Sequence, residues 1–243
     1  MEKSLSKRDY RILMGATDWH HQEWGNEIFY PEDLPEDWYL SFYANEFPVA
    51  LVQNKQWLDV DAAEEVVDEI SEQATPGFKC VFELDLSDDN WKAHDDISTR
   101  VEHLSNAQEF LSGLLVLINA ESLEDKSFCD VIISLNNQFN VCLELVDSLS
   151  ENSITILTDF CEQHSISVCW RGDGAPIVPD ASKLWVVRCD SAEENKVLVQ
   201  QLKILIAEQL KLEKLSREHV LIVDGVPPKI ETIRNAMIMM DIM

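Results

Sequence analysis

Two charged residues stand where apolar side chains are expected. Glu144 lies in the run Val141-Cys-Leu-Glu-Leu-Val146, and Arg188 lies in Leu184-Trp-Val-Val-Arg188. Strand side chains alternate with period two, so Glu144 shares a face with Cys142 and Val146, and Arg188 with Leu184 and Val186. A charge on an apolar face must be paired or hydrogen-bonded, because leaving it alone costs several kcal/mol. A Glu144–Arg188 pair satisfies both residues, and with Asp190 it forms a candidate catalytic trio. Around it, Asp18, Trp19, Glu83 and Asp224 stand at the ends of other apolar runs as candidate ligand-binding groups. Carboxylates of this kind serve as general acids and bases, or hold a cationic substrate or a divalent metal.

The elements that must position these residues follow from periodicity. Apolar strand-like runs occupy Ile12 to Met14, Val49 to Val52, Lys79 to Leu84, Leu114 to Ile118, Val141 to Val146, Ser167 to Trp170, Leu184 to Arg188 and Val220 to Val223. Between them lie helical patterns at Glu36 to Glu46, Asp61 to Ala74, Ile97 to Leu111, Lys126 to Asn136, Ser153 to His164, Ala192 to about Arg217 and Ile230 to Met240. A Gly-Pro-rich stretch, Gly172 to Pro179, stands in place of the helix between the sixth and seventh runs. Eight strands alternating with helices favour parallel pairing and right-handed crossovers. The expectation is an α/β fold, a single (β/α)8 TIM-type barrel over residues 11–243, irregular around strands six and seven, preceded by a polar tail over 1–10. A doubly wound open sheet is the runner-up. In a barrel, function belongs at the carboxyl ends of the strands. Those ends read Thr17-Asp18-Trp19, Gln53-Asn54, Glu83 to Asp85, Asn119 to Glu121, Glu144 and Asp147, Arg171 to Asp173, Arg188 and Asp190, and Asp224.

The stretch from Met14 to Val52 is richer than a connection requires. Gly15 and Trp19, Trp24, Tyr30-Pro31, Trp38-Tyr39-Leu40, Tyr43-Ala44 and Phe47 follow one another at set spacings. This pattern resembles that of the YecE-like proteins, domain-of-unknown-function family 72, and the resemblance implies a TIM-type barrel whose activity is not settled. It also implies polar site positions that this chain has largely replaced. Where the family carries an acid and an asparagine on strand two, Ala50 and Val52 stand here; a family lysine on strand three aligns with Glu83. The Glu-x-Arg-His pattern of strand five reads Glu144-Leu145-Val146-Asp147, and the Arg-x-His of strand seven reads Arg188-Cys189-Asp190. The Asn-Ala of the last helix is kept as Asn235-Ala236. The scaffold positions survive and most polar ones do not.

Among 243 residues, 45 Asp and Glu oppose 19 Lys and Arg, a net charge of −26. That field repels phosphate backbones and anionic membrane surfaces, so neither nucleic acid nor membrane is an expected partner. Six cysteines without a C-x-x-C pair read as reduced thiols packed in strands. The polar N-terminus and the lack of any apolar run of about 18 residues imply a cytoplasmic protein. His20-His21 are adjacent, which suits no shared strand or helix face; one reading has one of them ligate a metal with Asp18 and a distant carboxylate, and the simpler one makes them exposed loop residues. No metal or cofactor is expected, since histidine-ligand, Walker, G-x-S-x-G and dinucleotide motifs are absent. Trp19, Trp24, Phe29 and Tyr30 form either a satellite core under their loop, with Trp19 nearest the mouth, or the wall of a pocket. The helix from Ala192 to about Arg217 would span about 37 Å at 1.5 Å per residue, long enough to offer a homodimer surface. Together these features suggest a barrel that binds a small ligand or a protein partner at its mouth. The alternative is an enzyme using the strand-end carboxylates in hydrolase-type acid/base or metal-assisted chemistry.

Overall fold

In the computed structural model, residues 12–25, 27–88, 94–146, 151–192, 195–211 and 217–242 are described. The polar tail over 1–10 and Asp147 fall outside them. The chain opens with β1 (Ile12–Thr17), α1 (Tyr39–Glu46), β2 (Val49–Val52), α2 (Val60–Gln73) and β3 (Lys79–Asp85). It continues with α3 (His94–His103), β4 (Leu111–Ile118), α4 (Lys126–Gln138), β5 (Val141–Leu145), α5 (Glu151–His164) and β6 (Ser167–Val168). It ends with β7 (Leu184–Asp190), α6 (Asn195–Lys211), β8 (Glu218–Asp224) and α7 (Ile230–Ile242). All pairings are parallel, in the order β6-β5-β4-β3-β2-β1-β8-β7. This is the TIM-type barrel that the alternation implies. It is nearly closed, with a seam between β6 and β7.

The seam has a local cause. β6 is two residues long, and glycines with positive φ at Gly172 (105°) and Gly174 (64°) turn the chain away soon after it. Closure is left to one parallel bridge, Trp170 to Val187, in which the Trp170 N–H donates to the Val186 carbonyl at 3.2 Å and Arg188 N–H to the Trp170 carbonyl at 3.0 Å. Deeper in the seam, the Ser167 hydroxyl donates to the Leu184 carbonyl and Trp185 Nε1–H to the Val168 carbonyl. Side chains thus replace the missing ladder.

The helices form where apolar periodicity and caps coincide. In α2, Ala63, Val66, Val67 and Ile70 lie buried on one stripe, and the Asp59 carboxylate caps the first turn by accepting from Ala62 N–H at 2.9 Å. Asp125 caps α4 in the same way through Ser127 N–H at 2.8 Å. Two helix boundaries differ from the periodicity. The segment expected as one helix to Leu111 ends at His103 and tightens into a 3-10 turn over Leu104–Ala107, which buries Leu104 and Ala107 before β4 begins. The long helix starts at Asn195, because Asp190 accepts from Ala192 N–H at 2.8 Å and holds that residue in a turn. Its described length of 17 residues corresponds to about 25 Å, within reach of the barrel wall; residues 212–216 lie outside the described set. Leu198, Leu202 and Leu205 pack inward, and Leu210 is exposed.

The aromatic loop after β1 is a satellite core. Trp24 is 1% exposed, donates Nε1–H to the Pro228 carbonyl at 2.9 Å and lies parallel to Tyr43. Tyr30 stacks on Tyr39 with ring centroids 3.9 Å apart and donates its hydroxyl to the Trp19 carbonyl. Gly15 has a steric reason: a Cβ there would meet the Val49 carbonyl oxygen at 1.7 Å and the Tyr43 hydroxyl at 2.9 Å. That hydroxyl accepts from Ala16 N–H at 2.7 Å and donates to the Val49 carbonyl at 2.9 Å, tying α1 to both strands.

Candidate functional site

The carboxyl ends of β3, β5, β7 and β8 bring four charged side chains together. Glu83, Glu144 and Arg188 come from alternate strands, the pattern by which a barrel builds one interior layer. Arg188 is 8% exposed and Glu144 5%. The Arg188 guanidinium grips Asp224 with two parallel bonds, Nε–H to Oδ2 at 2.8 Å and an Nη2–H to Oδ1 at 2.9 Å. Its Nη1 donates to Glu144 Oε2 at 2.7 Å and, more loosely, to Glu83 Oε2 at 3.4 Å. The sequence-level pair therefore forms, with Asp224 as the stronger, bidentate partner. Thr17, at the end of β1, donates its hydroxyl to Asp224 Oδ1 at 2.5 Å and fixes that carboxylate from the other side.

Arg171 completes the cluster. The half-exposed guanidinium lies over the mouth, with Nε–H donating to Glu144 Oε1 at 2.8 Å and Nη1–H to Asp224 Oδ2 at 3.2 Å. Arg171 stands at the end of strand six in the sequence, but nothing there tells that the Trp170 bridge turns its side chain across the barrel toward β5 and β8. A further chain supports Glu83. The Arg100 guanidinium sits over the Trp57 ring, 4.6 Å from its centroid, and donates to Asn54 Oδ1 at 3.0 Å, while Asn54 N–H donates to Glu83 Oε1 at 3.3 Å. Arg100 lies on a helix of mixed polarity, where the sequence carries no signal of this role.

The electrostatics follow from this packing. Burial works against a charged Arg188, yet the hydrogen bonds and charge of Asp224, with the charge of Glu144, outweigh it and raise the guanidinium pKa. Burial raises the Glu83 carboxyl, and the Arg188 charge and the Asn54 N–H offset that only in part. Glu83 is thus the carboxylate of the cluster held most loosely by Arg188, and burial disfavours its ionised form.

Three of the seven candidate residues stand apart from the cluster. Asp190 is exposed and caps the turn at Ala192. Asp18, at φ 63°, spends one carboxylate oxygen on its own loop, accepting from Trp19 N–H at 2.6 Å and His20 N–H at 2.8 Å, and on the turn after β2, accepting from the Gln56 amide at 3.1 Å. Trp19 is fully buried, with Nε1–H on Glu69 of α2 at 3.0 Å, and so packs in the loop core rather than lining an open wall. His20 sits between Asp18 and Glu69, its ring nitrogens 3.7 and 3.4 Å from their oxygens. His21 binds the Thr17 carbonyl through Nε2 at 2.8 Å. Among the described residues, no three His, Cys, Asp or Glu side chains are grouped to hold a metal ion. Ala50 and Val52 are fully buried, so β2 adds no polar group at these positions.

Beside the cluster, between α5, β5, β6 and the segment after β6, lies a cleft of about 400 Å³. Glu144 and Arg171 form its polar wall; Leu157, Trp170 and Ile177 form its apolar one. Its volume falls within the range of small-molecule sites, about 300–1,000 Å³.

No family model matches the sequence, and no curated protein matches it significantly. Among solved structures, the chain is similar to a putative dihydrodipicolinate synthase family protein from Coccidioides immitis, at TM-score 0.48 and 12% identity over 88% of this chain and 66% of that one. It superposes more fully on a DUF72 family protein from Thermotoga maritima, at TM-score 0.64 and 12% identity over 96% of this chain and 100% of that one, a likeness that carries the fold.

Proposed function

We propose that this chain is a divergent YecE-like barrel that binds a small molecule at the mouth cleft without turning it over. One observation carries the reading: the buried charges of the mouth are consumed by one another. Arg188 is committed to Asp224 and Glu144, and Arg171 lies across the same two carboxylates. A general base must reach a substrate proton, and the oxygens of Glu144 and Asp224 are already occupied by guanidinium donors. The cleft beside the network gives a ligand apolar walls and one polar side.

A protein partner at the mouth is the other form of this reading. A homodimer through α6 would use Leu210, and a sedimentation experiment with Leu210→Asp tests it. A second reading, hydrolase-type acid/base chemistry, is favoured by Glu83 alone, whose raised pKa suits a proton donor.

Proton NMR of a mixture of small amines, carboxylates and polyols, recorded with and without the protein, separates these readings. The expected result is line broadening of some probes, abolished when Leu157→Trp fills the cleft, with no probe consumed. Consumption beyond one equivalent of protein, lost in Glu83→Gln, would replace the binding reading with the enzymatic one.

A further inference from the structure

Arg171 differs from the other members of the mouth cluster in three respects. Its side chain is 50% exposed, whereas those of Glu144 and Arg188 are 7% and 9%. Glycines with positive φ stand one and three residues after it, at Gly172 and Gly174, in a conformation that favours glycine. Its guanidinium stands between the interior network and the cleft and belongs to the walls of both. We propose that Arg171 is a displaceable stand-in for the ligand, and that the cleft takes a small cation, a guanidinium or primary ammonium on a short apolar stem.

The charge balance gives the sign. Glu83, Glu144 and Asp224 all lie within 3.4 Å of Arg188, which can neutralise one of the three. With Arg171 turned out to solvent, the mouth holds an excess of negative charge, and Glu144, nearly buried, cannot recover that partner from water. A cation entering through the cleft restores what Arg171 supplied. A carboxylate or phosphate would instead meet Glu144 and Asp173 in the cleft, within a chain whose net charge is −26.

Shape agrees with charge. Glu144, which is nearly buried, lines the cleft together with Leu157 of α5, Trp170 and Ile177. A cationic head at Glu144 would leave the stem against these apolar side chains. The Val168 N–H donates to the Ile177 carbonyl at 2.9 Å and Trp170 Nε1–H to the Asp173 carbonyl at 3.0 Å, holding the outer wall and the turn to the barrel, so the half-exposed Arg171 side chain is the part left to move.

This inference rests on the binding reading, and titration calorimetry at fixed ionic strength tests the two separately. The probes are butylguanidinium, butyrate and butanol, matched in stem length. Arg171→Ala should bind butylguanidinium at least tenfold more tightly than the unmodified chain, because the probe no longer competes with a tethered guanidinium. Arg171→Met, which keeps the apolar stem and removes the charge, should show the same direction. The gain should vanish in Arg171→Ala/Glu144→Gln, and butyrate should bind none of these proteins. Equal butylguanidinium affinity with and without Arg171 would overturn the stand-in role. Butyrate binding that Arg171→Ala abolishes would overturn the cationic class while leaving a ligand site in place. Failure of all three probes on every variant would overturn both inferences.

Discussion

Glu144 and Arg188 were legible as a pair because each interrupts an apolar face, and burial permits such a charge only with a partner. Asp224 and Arg171 were not legible in that role: their contacts depend on how β8 and the seam close the barrel. Asp18 was legible only as a polar strand end, and its bonds to Trp19 and His20 N–H show that such a residue can serve its own loop. Removing Arg188 alone, as Arg188→Met, should cost about 3–5 kcal/mol because Glu144, Asp224 and Glu83 lose their shared buried cation, whereas Glu144→Leu should cost less because Arg188 keeps its bidentate pair with Asp224. The double variant should fall well short of the sum in urea-melt free energies; strict additivity would dissolve the contact. His219 supplies a second test. It is fully buried on β8, and burial, with the positive charge of Arg217, lowers its pKa to about 4. The unfolded chain protonates this ring near pH 6.5, so between pH 6.5 and 4 the unfolded state binds the extra proton and stability falls as pH falls. Above pH 6.5 the term is flat. The span corresponds to roughly 3 kcal/mol at 1.36 kcal/mol per pKa unit. His219→Leu should therefore lose less stability than the unmodified chain between pH 7 and 4.5, as read from urea midpoints at the two values.

The order and type of the elements were written in the periodicity, and the departures sit where capping and turn chemistry compete with it. Asp190 holds Ala192 out of α6, and the turn over Leu104–Ala107 ends α3 early although the apolar spacing continues. The seam was visible as a Gly-Pro stretch, but the two-residue length of β6 was not, since Cys169 and Trp170 continue its apolar run. Thr17 likewise extends β1 past Gly15, a glycine that marks the place where the Tyr43 hydroxyl enters rather than the strand's end. The aromatic loop is the element with the clearest energetic weight. Trp24 bridges β1 to the segment before α7 through the Pro228 carbonyl and packs on Phe29, Tyr30 and Tyr43. Trp24→Ala should cost about 3–5 kcal/mol through lost burial and a residual cavity. Trp38→Ala, at a side chain that is 62% exposed, should change stability by less than about 0.5 kcal/mol. Thermal denaturation of the two variants side by side checks both the loop core and the unequal roles of two tryptophans that the sequence places in one motif.

For the whole molecule, charge is the property that limits partners. Among the described residues no helix is long and apolar enough to cross a membrane. The arginines placed at the mouth, Arg171 and Arg188, are bound to Glu144 and Asp224, so they present no free cationic patch. Duplex affinity comes largely from lysines and arginines releasing counterions from phosphates. Here 45 acidic residues against 19 basic ones set a repulsive field around the surface, and at about 0.15 M salt that field reaches roughly 8 Å. The expected outcome is no retention of a duplex by the protein at that ionic strength in a mobility-shift titration. Lowering the salt lengthens the field and should not rescue binding, whereas a basic groove would gain affinity steeply on the same change. A complex at about 0.15 M salt that weakens as salt is added would show a basic surface and overturn the assignment of the mouth arginines as internally neutralised.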